Sequence, residues 1–197
     1  MDNETIKFYN ENADQYSAWR FKEGEDKAQT TFLEHLSCTG HILDLGCGTG
    51  EKALWFRKNG LTITAIDASK EMLKYLQKVD GISSFQMDII DLDLDEKFDG
   101  IWASFSLQHL KKTDQDILIK NIPTLLKKGG IFYLGIHEGN QSYRDELGRL
   151  YVPRTNSDLE YVFSTHKLSI IEIFKEKTTS FDGKPINVMH VFSQFSH

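Results

Sequence analysis

The chain has 197 residues, 40% of them hydrophobic and 26% charged, and its 23 basic against 29 acidic side chains leave a formal net charge of −6. That length suffices for a single domain burying about 70% of its unfolded surface, so no metal or disulfide staple is needed. The acidic balance argues against a broad nucleic-acid-binding face, because non-specific affinity for phosphates comes mainly from Lys and Arg.

The stretch MDNETIKFYN is polar and acidic, without a basic or apolar region, so no secretory signal is expected. Residues 2–36 carry no strand signal and read as a helical cap, with Ile6, Tyr9, Ala13, Tyr16 and Trp19 recurring at helical spacing. HILDL at 41–45 reads as a strand, followed by a helix at 51–59 closed by Gly60. LTITAI at 61–66 is the next strand, and Ser69 is placed to cap a helix at 69–78. A weaker strand at 83–87 and a stronger one, FDGIWAS at 98–104, come next. The helix at 113–127 contains Pro123, which should kink it or mark its true start, and Gly129-Gly130 should close it. GIFYLGI at 130–136 completes the alternation, which predicts a parallel sheet with helices on both faces.

Beyond Gly135 the pattern changes. The run HEGNQSYRDELGR reads as a solvated connection, followed by a helix at 156–166. Strand-like runs at 168–174 and 187–195 are separated by the turn residues Asp182-Gly183-Lys184-Pro185, so they should pair antiparallel. No apolar run approaches the roughly 20 residues that span a bilayer. The two cysteines, Cys38 and Cys47, are too few for a disulfide framework and fit a reducing compartment, so the expected location is cytoplasmic.

The most informative stretch is His41 to Gly50, HILDLGCGTG, where a buried strand runs into Gly46, Gly48 and Gly50 and a helix starts at once. Glycines at such a junction let backbone approach a ligand closely, and the helix N-terminus offers unpaired N–H donors. A dinucleotide fingerprint looks similar, but Asp44, inside the strand, would disfavour a pyrophosphate and favour a ligand with an ammonium group. Asp67 ends the second strand about 20 positions later, where a carboxylate can accept both ribose hydroxyl bonds. Asp88 follows the third strand, within reach of an exocyclic amine such as that of adenine, although Asp91, Asp93 and Asp95 nearby also allow a solvated acidic loop.

DLGCGTG, AIDAS, FQMDI, FDGIWAS and LLKKGGIFYLGI together resemble the ordered motifs of the class I S-adenosylmethionine-dependent methyltransferases, over about residues 41–136. The resemblance implies a seven-stranded, mostly parallel, doubly wound sheet of the Rossmann-like type, with an antiparallel strand inserted by a C-terminal hairpin. It divides the chain into a helical cap (1–36), a cofactor-binding core (41–136) and a substrate-side insertion with hairpin (137–197). It also implies roles. Gly46, Cys47, Gly48 and Gly50 would cradle the methionine end of S-adenosylmethionine, and Asp44 would hold its amino group indirectly. Asp67 and Ala68 would meet the ribose, Asp88 and the Ile89 backbone the adenine edge, and Met72 the adenine face. Ser104 would lie near the transferred methyl. Tyr9, Tyr16, Trp19 and Arg20 resemble the helical lid of small-molecule members, with Tyr16 and Arg20 set to touch the carboxylate end.

Methyl transfer from a sulfonium is an in-line displacement, so positioning may supply roughly 7–11 kcal/mol without any catalytic residue. A general base would add about 10²–10⁴-fold where the nucleophile must lose a proton. His109, in SFSLQHL after the fourth strand, is the best-placed base, with an unperturbed pKa of about 6.5. Arg144, Arg149, Tyr151 and Arg154 offer groups suited to an anionic or aromatic acceptor, with a solvated loop as the plainer reading. The fourth strand lacks the Asn/Asp-Pro-Pro-aromatic run of base-amino methyltransferases and the Pro-Cys of cytosine-C5 enzymes, and no His/Cys spacing suggests a metal site. The expectation is therefore a small-molecule methyltransferase, monomeric or homodimeric, without nucleic-acid or membrane partners. An RNA or protein methyltransferase, or a non-catalytic module binding S-adenosylmethionine or S-adenosylhomocysteine, is the alternative.

Overall fold

The computed structural model describes residues 1–20, 27–36 and 40–196; Cys38 and residues 21–26 of the expected cap lie outside them. Three helices lead the chain: α1 (Asn3–Glu11), α2 (Ala13–Arg20) and α3 (Lys27–His35). The Asp2 carboxylate caps α1 by accepting from the Thr5 N–H at 2.9 Å. The core then runs β1 (His41–Leu45), α4 (Glu51–Lys58), β2 (Thr62–Asp67), α5 (Lys70–Leu73), β3 (Ile82–Gln86), β4 (Phe98–Ser104), α6 (Lys112–Leu125) and β5 (Leu126–His137). The remainder is β6 (Tyr143–Arg144), β7 (Leu150–Tyr151), α7 (Asn156–Thr165), β8 (Leu168–Thr179) and β9 (Pro185–Phe195).

The main sheet has the order β3-β2-β1-β4-β5-β9-β8. β1, β2, β3, β4 and β5 are parallel, and β9 enters between β5 and β8 antiparallel to both. Chain direction reverses its lateral progress at β1, which pairs with β2 on one side and β4 on the other. At such a switch point the helices diverge and leave a crevice outside the carboxyl ends of the strands.

Both faces of the sheet are covered, so the central strands are apolar on both sides and their residues alternate between two cores. Leu43, Leu45, Ile101 and Phe132 pack with Ile119 and Phe163 of α6 and α7. Ile42, Ile63, Trp102 and Tyr133 pack with Phe32 and Phe56 of α3 and α4. In the second core Trp102 stacks on Tyr133 at 3.7 Å between ring centroids, with Phe32 edge-on at 5.2 Å and Phe56 at 5.0 Å.

Several local expectations change. The second core helix is only α5 continued by a 3-10 turn at Lys74–Leu76, and Lys78 takes a φ of 64°, which a right-handed helix excludes. Pro123 does not mark a helix start: it lies inside α6, two residues from its end, where the missing N–H interrupts the ladder only in the last turn. Gly129-Gly130 do not close that helix but lie within β5.

The run read as a solvated connection is the largest correction. It forms the short β6–β7 ladder, and Arg149 and Arg154 are among the most completely buried large side chains of the protein. Each is buried with a carboxylate in reach, Asp145 at 2.7 Å and Asp116 at 2.7 Å, which offsets the cost of removing the charge from water.

α7 begins with a capping box, in which the Thr155 hydroxyl accepts from the Asp158 N–H at 3.2 Å and the Asp158 carboxylate accepts from the Thr155 N–H at 3.3 Å. Thr155→Ala is expected to cost about 1 kcal/mol. The reading would be a lower urea midpoint at unchanged m value.

A candidate cofactor cleft and acceptor cavity

The loop after β1 is built on three left-handed glycines, with φ of 73° at Gly46, 56° at Gly48 and 79° at Gly50. The Gly46 and Cys47 N–H groups donate to the Ile66 carbonyl at 2.7 and 3.0 Å, tying the loop to β2. Asp67 completes the tie: one carboxylate oxygen accepts from the Gly48 N–H at 2.8 Å and the other from the Ser69 N–H at 2.8 Å. Each oxygen keeps a second lone pair. The three glycines are not equivalent. A Cβ on Gly50 would fall 2.3 Å from Leu76, so that glycine serves packing, whereas a Cβ on Gly48 would meet only the Tyr16 ring at 3.9 Å.

Beside this loop lies a cleft lined by Tyr16, Arg20, Asp44, Gly46, Cys47 and Ser104, among others. Asp44 is buried in its floor, and its Oδ2 has no hydrogen-bond partner. Burial, reinforced by the carboxylates of Asp67 and Glu51, pushes its pKa up from 3.8 to about 8. Glu51 is held by Arg20 at 2.8 Å and Lys52 at 3.2 Å. An orphaned buried carboxyl oxygen at a glycine cradle fits the ammonium end of an amino-acid ligand, which would restore the missing interaction. The Cys47 thiol is also pushed up by burial, which makes it a spectator, not a nucleophile.

A second cleft, continuous with the first through Tyr16, Gly46, Gly48 and Ser104, also takes in Asp67, Met72 and His109. The lining of the two clefts brings together Tyr16, Arg20, Asp44, Gly46, Cys47, Gly48, Asp67, Met72, Ser104 and His109. Gly50, Ala68, Asp88 and Ile89 do not line either cleft. Ile89 is buried in the core, and Asp88 caps the turn that follows it, accepting from the Ile90 N–H at 3.2 Å while pairing with the Met1 ammonium.

Next to the second cleft lies a cavity of about 340 Å³, which shares Tyr9, Tyr16 and Phe105 with it. Its walls include Trp19, His137, Arg149, Tyr151, Phe181 and His190. Phe105, Phe181, Glu176 and His190 carried no site signal in the sequence, since three of them come from the hairpin strands and their connection. Phe105 is distinctive only in its φ of 58°, a property invisible in composition.

His109 lines the second cleft and reaches the cavity only through Tyr9, which walls both. Its Nδ1–H donates to the Leu150 carbonyl at 2.6 Å, so Nε2 is the unprotonated nitrogen, and it accepts from the Tyr9 hydroxyl at 3.1 Å. Burial lowers its pKa from 6.5 to about 4, so it is neutral at pH 7 and a weaker base than its residue type suggested. His137, stacked on Tyr151 at 4.8 Å, is likewise lowered by burial, to about 3. Among the described residues no group of His, Cys, Asp or Glu could hold a metal ion, and no helix is long and apolar enough to cross a membrane.

Comparison with known proteins adds to this geometry. A family model described as a methyltransferase domain matches residues 43–134. An uncharacterized methyltransferase of Staphylococcus carnosus is 26% identical over 147 residues, covering 73% of this chain and 71% of that protein. A carboxy-S-adenosyl-L-methionine synthase of Shewanella woodyi is 29% identical over 160 residues, covering 74% of this chain and 65% of that one. In fold, the chain is similar to the Burkholderia thailandensis 1,6-didemethyltoxoflavin-N1-methyltransferase solved with 1,6-didemethyltoxoflavin and S-adenosylhomocysteine. That likeness has a TM-score of 0.78 at 19% identity and covers 98% of this chain and 85% of the other.

Proposed function

Because this chain belongs to the class I S-adenosylmethionine-dependent methyltransferases, with S-adenosylmethionine as its methyl donor, we propose that its acceptor is a small molecule held in the 340 Å³ cavity. The observation that carries this reading is adjacency: Tyr9, Tyr16 and Phe105 wall both the cofactor cleft and the cavity. A volume of 340 Å³ is at the small end of ligand sites. The reading includes a cytoplasmic location, in keeping with the sequence, and a chain that is monomeric or homodimeric.

The bound cofactor supplies a methyl group already activated on a sulfonium centre. The residues then divide the remaining work. Asp44 holds the cofactor's amino group at the glycine cradle, and Tyr16 and Arg20 close over its carboxylate end. Asp67, beside Ala68, accepts from the ribose hydroxyls with the lone pairs its backbone bonds leave over. Met72, which lines the second cleft, would pack on the adenine face. Gly46, Gly48 and Gly50 with Cys47 set the curvature of the loop, and Ser104 faces the reacting centre.

Where the acceptor loses a proton, Tyr9 takes it and passes its own hydroxyl proton to His109 Nε2. A base this weak suffices for a hydroxyl or a weakly basic ring nitrogen, whose proton becomes strongly acidic once the atom is methylated.

Calorimetry with S-adenosylmethionine and S-adenosylhomocysteine tests the cofactor half. Micromolar binding is expected in the wild type, weakened about tenfold or more in Asp67→Asn and in Tyr16→Ala, one charged hydrogen-bond set or one packed ring each. Equal affinity in all three would overturn these roles. Labelled methyl transfer then tests the acceptor half: label in the low-molecular-mass fraction of a metabolite pool is expected, falling in His109→Gln. Label confined to RNA or protein would sink the small-molecule reading.

A further inference from the structure

We propose that the acceptor cavity takes a flat aromatic or heteroaromatic molecule that carries no negative charge. This rests on the small-molecule reading of the same site and narrows it to a chemical class.

The walls carry the first half of the argument. Tyr9 and Tyr16 meet at 5.3 Å between centroids, Tyr16 and Trp19 at 5.5 Å, and Phe181 closes on Tyr16 at 5.5 Å and on Trp19 at 5.6 Å. These rings come from α1, α2 and the connection after β8, three separate parts of the chain that make one continuous aromatic surface. Tyr151, with His137 stacked on it at 4.8 Å, adds a second planar surface. Among the described residues Ile186 is the only aliphatic hydrophobic side chain along the wall. Ring faces and edges of this kind gain most from another ring, through offset or edge-on contacts with a flat π system, beyond what area burial supplies. Thr178, Thr179 and Ser180 provide neutral hydrogen-bonding groups for heteroatoms on the ring edge.

The charges carry the second half. Among the described residues two cations reach the wall, and each already has a carboxylate: Arg20 pairs with Glu51 at 2.8 Å, and Arg149 with Asp145 at 2.7 Å. The Arg149 guanidinium is further enclosed by Phe8, Tyr151 and Phe181 at 4.9, 5.3 and 5.5 Å. His137 is neutral for want of solvent. Glu176, 3.2 Å from His190, adds a carboxylate that neither arginine pair offsets. Arg144 and Arg154, offered by the sequence as anion ligands, are not at the cavity: Arg144 pairs with Asp2 at 2.7 Å and Arg154 with Asp116 at 2.7 Å. An anionic acceptor would therefore lose its hydration without gaining an uncompensated cation, a net loss in a buried site. A neutral ring incurs no such penalty.

Three probes of similar size separate the terms: flat naphthamide, flat but anionic naphthoate, and the saturated, puckered decalin carboxamide, titrated by calorimetry with and without saturating S-adenosylhomocysteine. Naphthamide is expected to bind, with naphthoate and the decalin amide each weaker by about tenfold or more. No naphthamide binding, or naphthoate or decalin amide binding as tightly, would overturn the inference. S-adenosylhomocysteine failing to bind while naphthamide still outcompetes naphthoate would instead sink the methyltransferase reading and leave the charge argument standing.

Two variants sharpen this. Phe181→Leu should weaken naphthamide about fivefold or more and leave S-adenosylhomocysteine affinity unchanged, because Phe181 lines only the cavity. Asp145→Asn should release the charge of Arg149 and tighten naphthoate about tenfold or more relative to naphthamide. Unaltered selectivity in a folded Asp145→Asn protein would show that the arginine is not what the carboxylate holds in check.

Discussion

Asp44→Asn is expected to raise the melting temperature of the unliganded protein while costing it about a hundredfold or more in affinity for S-adenosylmethionine. Both effects have one cause. In the folded chain burial raises the Asp44 pKa from 3.8 to about 8. Between about pH 4 and 8 the folded state therefore holds a proton that the unfolded chain has released, so stability falls as pH rises across that window and levels off above it. Each pK unit is worth about 1.4 kcal/mol, so the penalty at neutral pH is on the order of a few kcal/mol. Asparagine carries no such penalty, although it still buries a polar group, which leaves a gain of about 1–3 kcal/mol and a rise of roughly 2–12 °C for a chain of this length.

The same residue should make binding proton-linked. An ammonium group placed against Asp44 favours its ionised form, so the wild type should release up to one proton on binding below about pH 8, and affinity should climb with pH toward that value. Calorimetry in buffers of different ionisation enthalpy reads this directly. Proton release that persists in Asp44→Asn, or a variant that melts no higher than the wild type, would reject the assignment.

Gly46→Ala should destabilise the fold by about 2–4 kcal/mol and abolish measurable cofactor binding, for reasons beyond ligand approach. Gly46 has a φ of 73°, which costs an L-residue roughly 1–2 kcal/mol, and a Cβ there would lie 2.3 Å from Ser106 Cβ. Ser106 cannot readily yield, because its hydroxyl donates to the Leu45 carbonyl at 2.6 Å and pins the β4–α6 connection to the end of β1. Gly48→Ala is the internal control: its φ of 56° carries strain but its Cβ would meet only Tyr16 at 3.9 Å, so it should cost about 1 kcal/mol. Urea unfolding of both variants, with Ser106→Gly added to Gly46→Ala, measures the difference. Equal losses in the two alanine variants, or no recovery in the double variant, would contradict the packing account.

Much of the candidate cleft is legible in the sequence, because its chemistry is local. A strand of branched residues, three glycines and a helix start occupy ten consecutive positions, and Asp67 follows at the end of the next strand. Periodicity also set out the parallel core and the antiparallel C-terminal pair, since a sheet covered on both faces demands apolar strands and a turn-rich connection joins antiparallel neighbours. Local signals failed where distant segments compete. The helix expected over 69–78 stops at Leu73 and passes into a 3-10 turn, and Arg149 and Arg154 read as solvated because nothing near them in sequence announces that Asp145 and Asp116 follow them into the interior.

By itself, then, the sequence determined the sheet, the glycine loop and the carboxylates that frame it, all features set by spacings of a few residues. The tertiary structure decided the rest. It turned Asp88 toward the Ile90 N–H and the Met1 ammonium, and set the His109 tautomer through Leu150 and Tyr9. It also assembled the aromatic cavity from helices and a hairpin connection that lie more than a hundred residues apart, and it matched each arginine at its wall with a carboxylate. The physical reason is that burial and charge pairing depend on what surrounds a group in space, and no spacing along the chain encodes that environment.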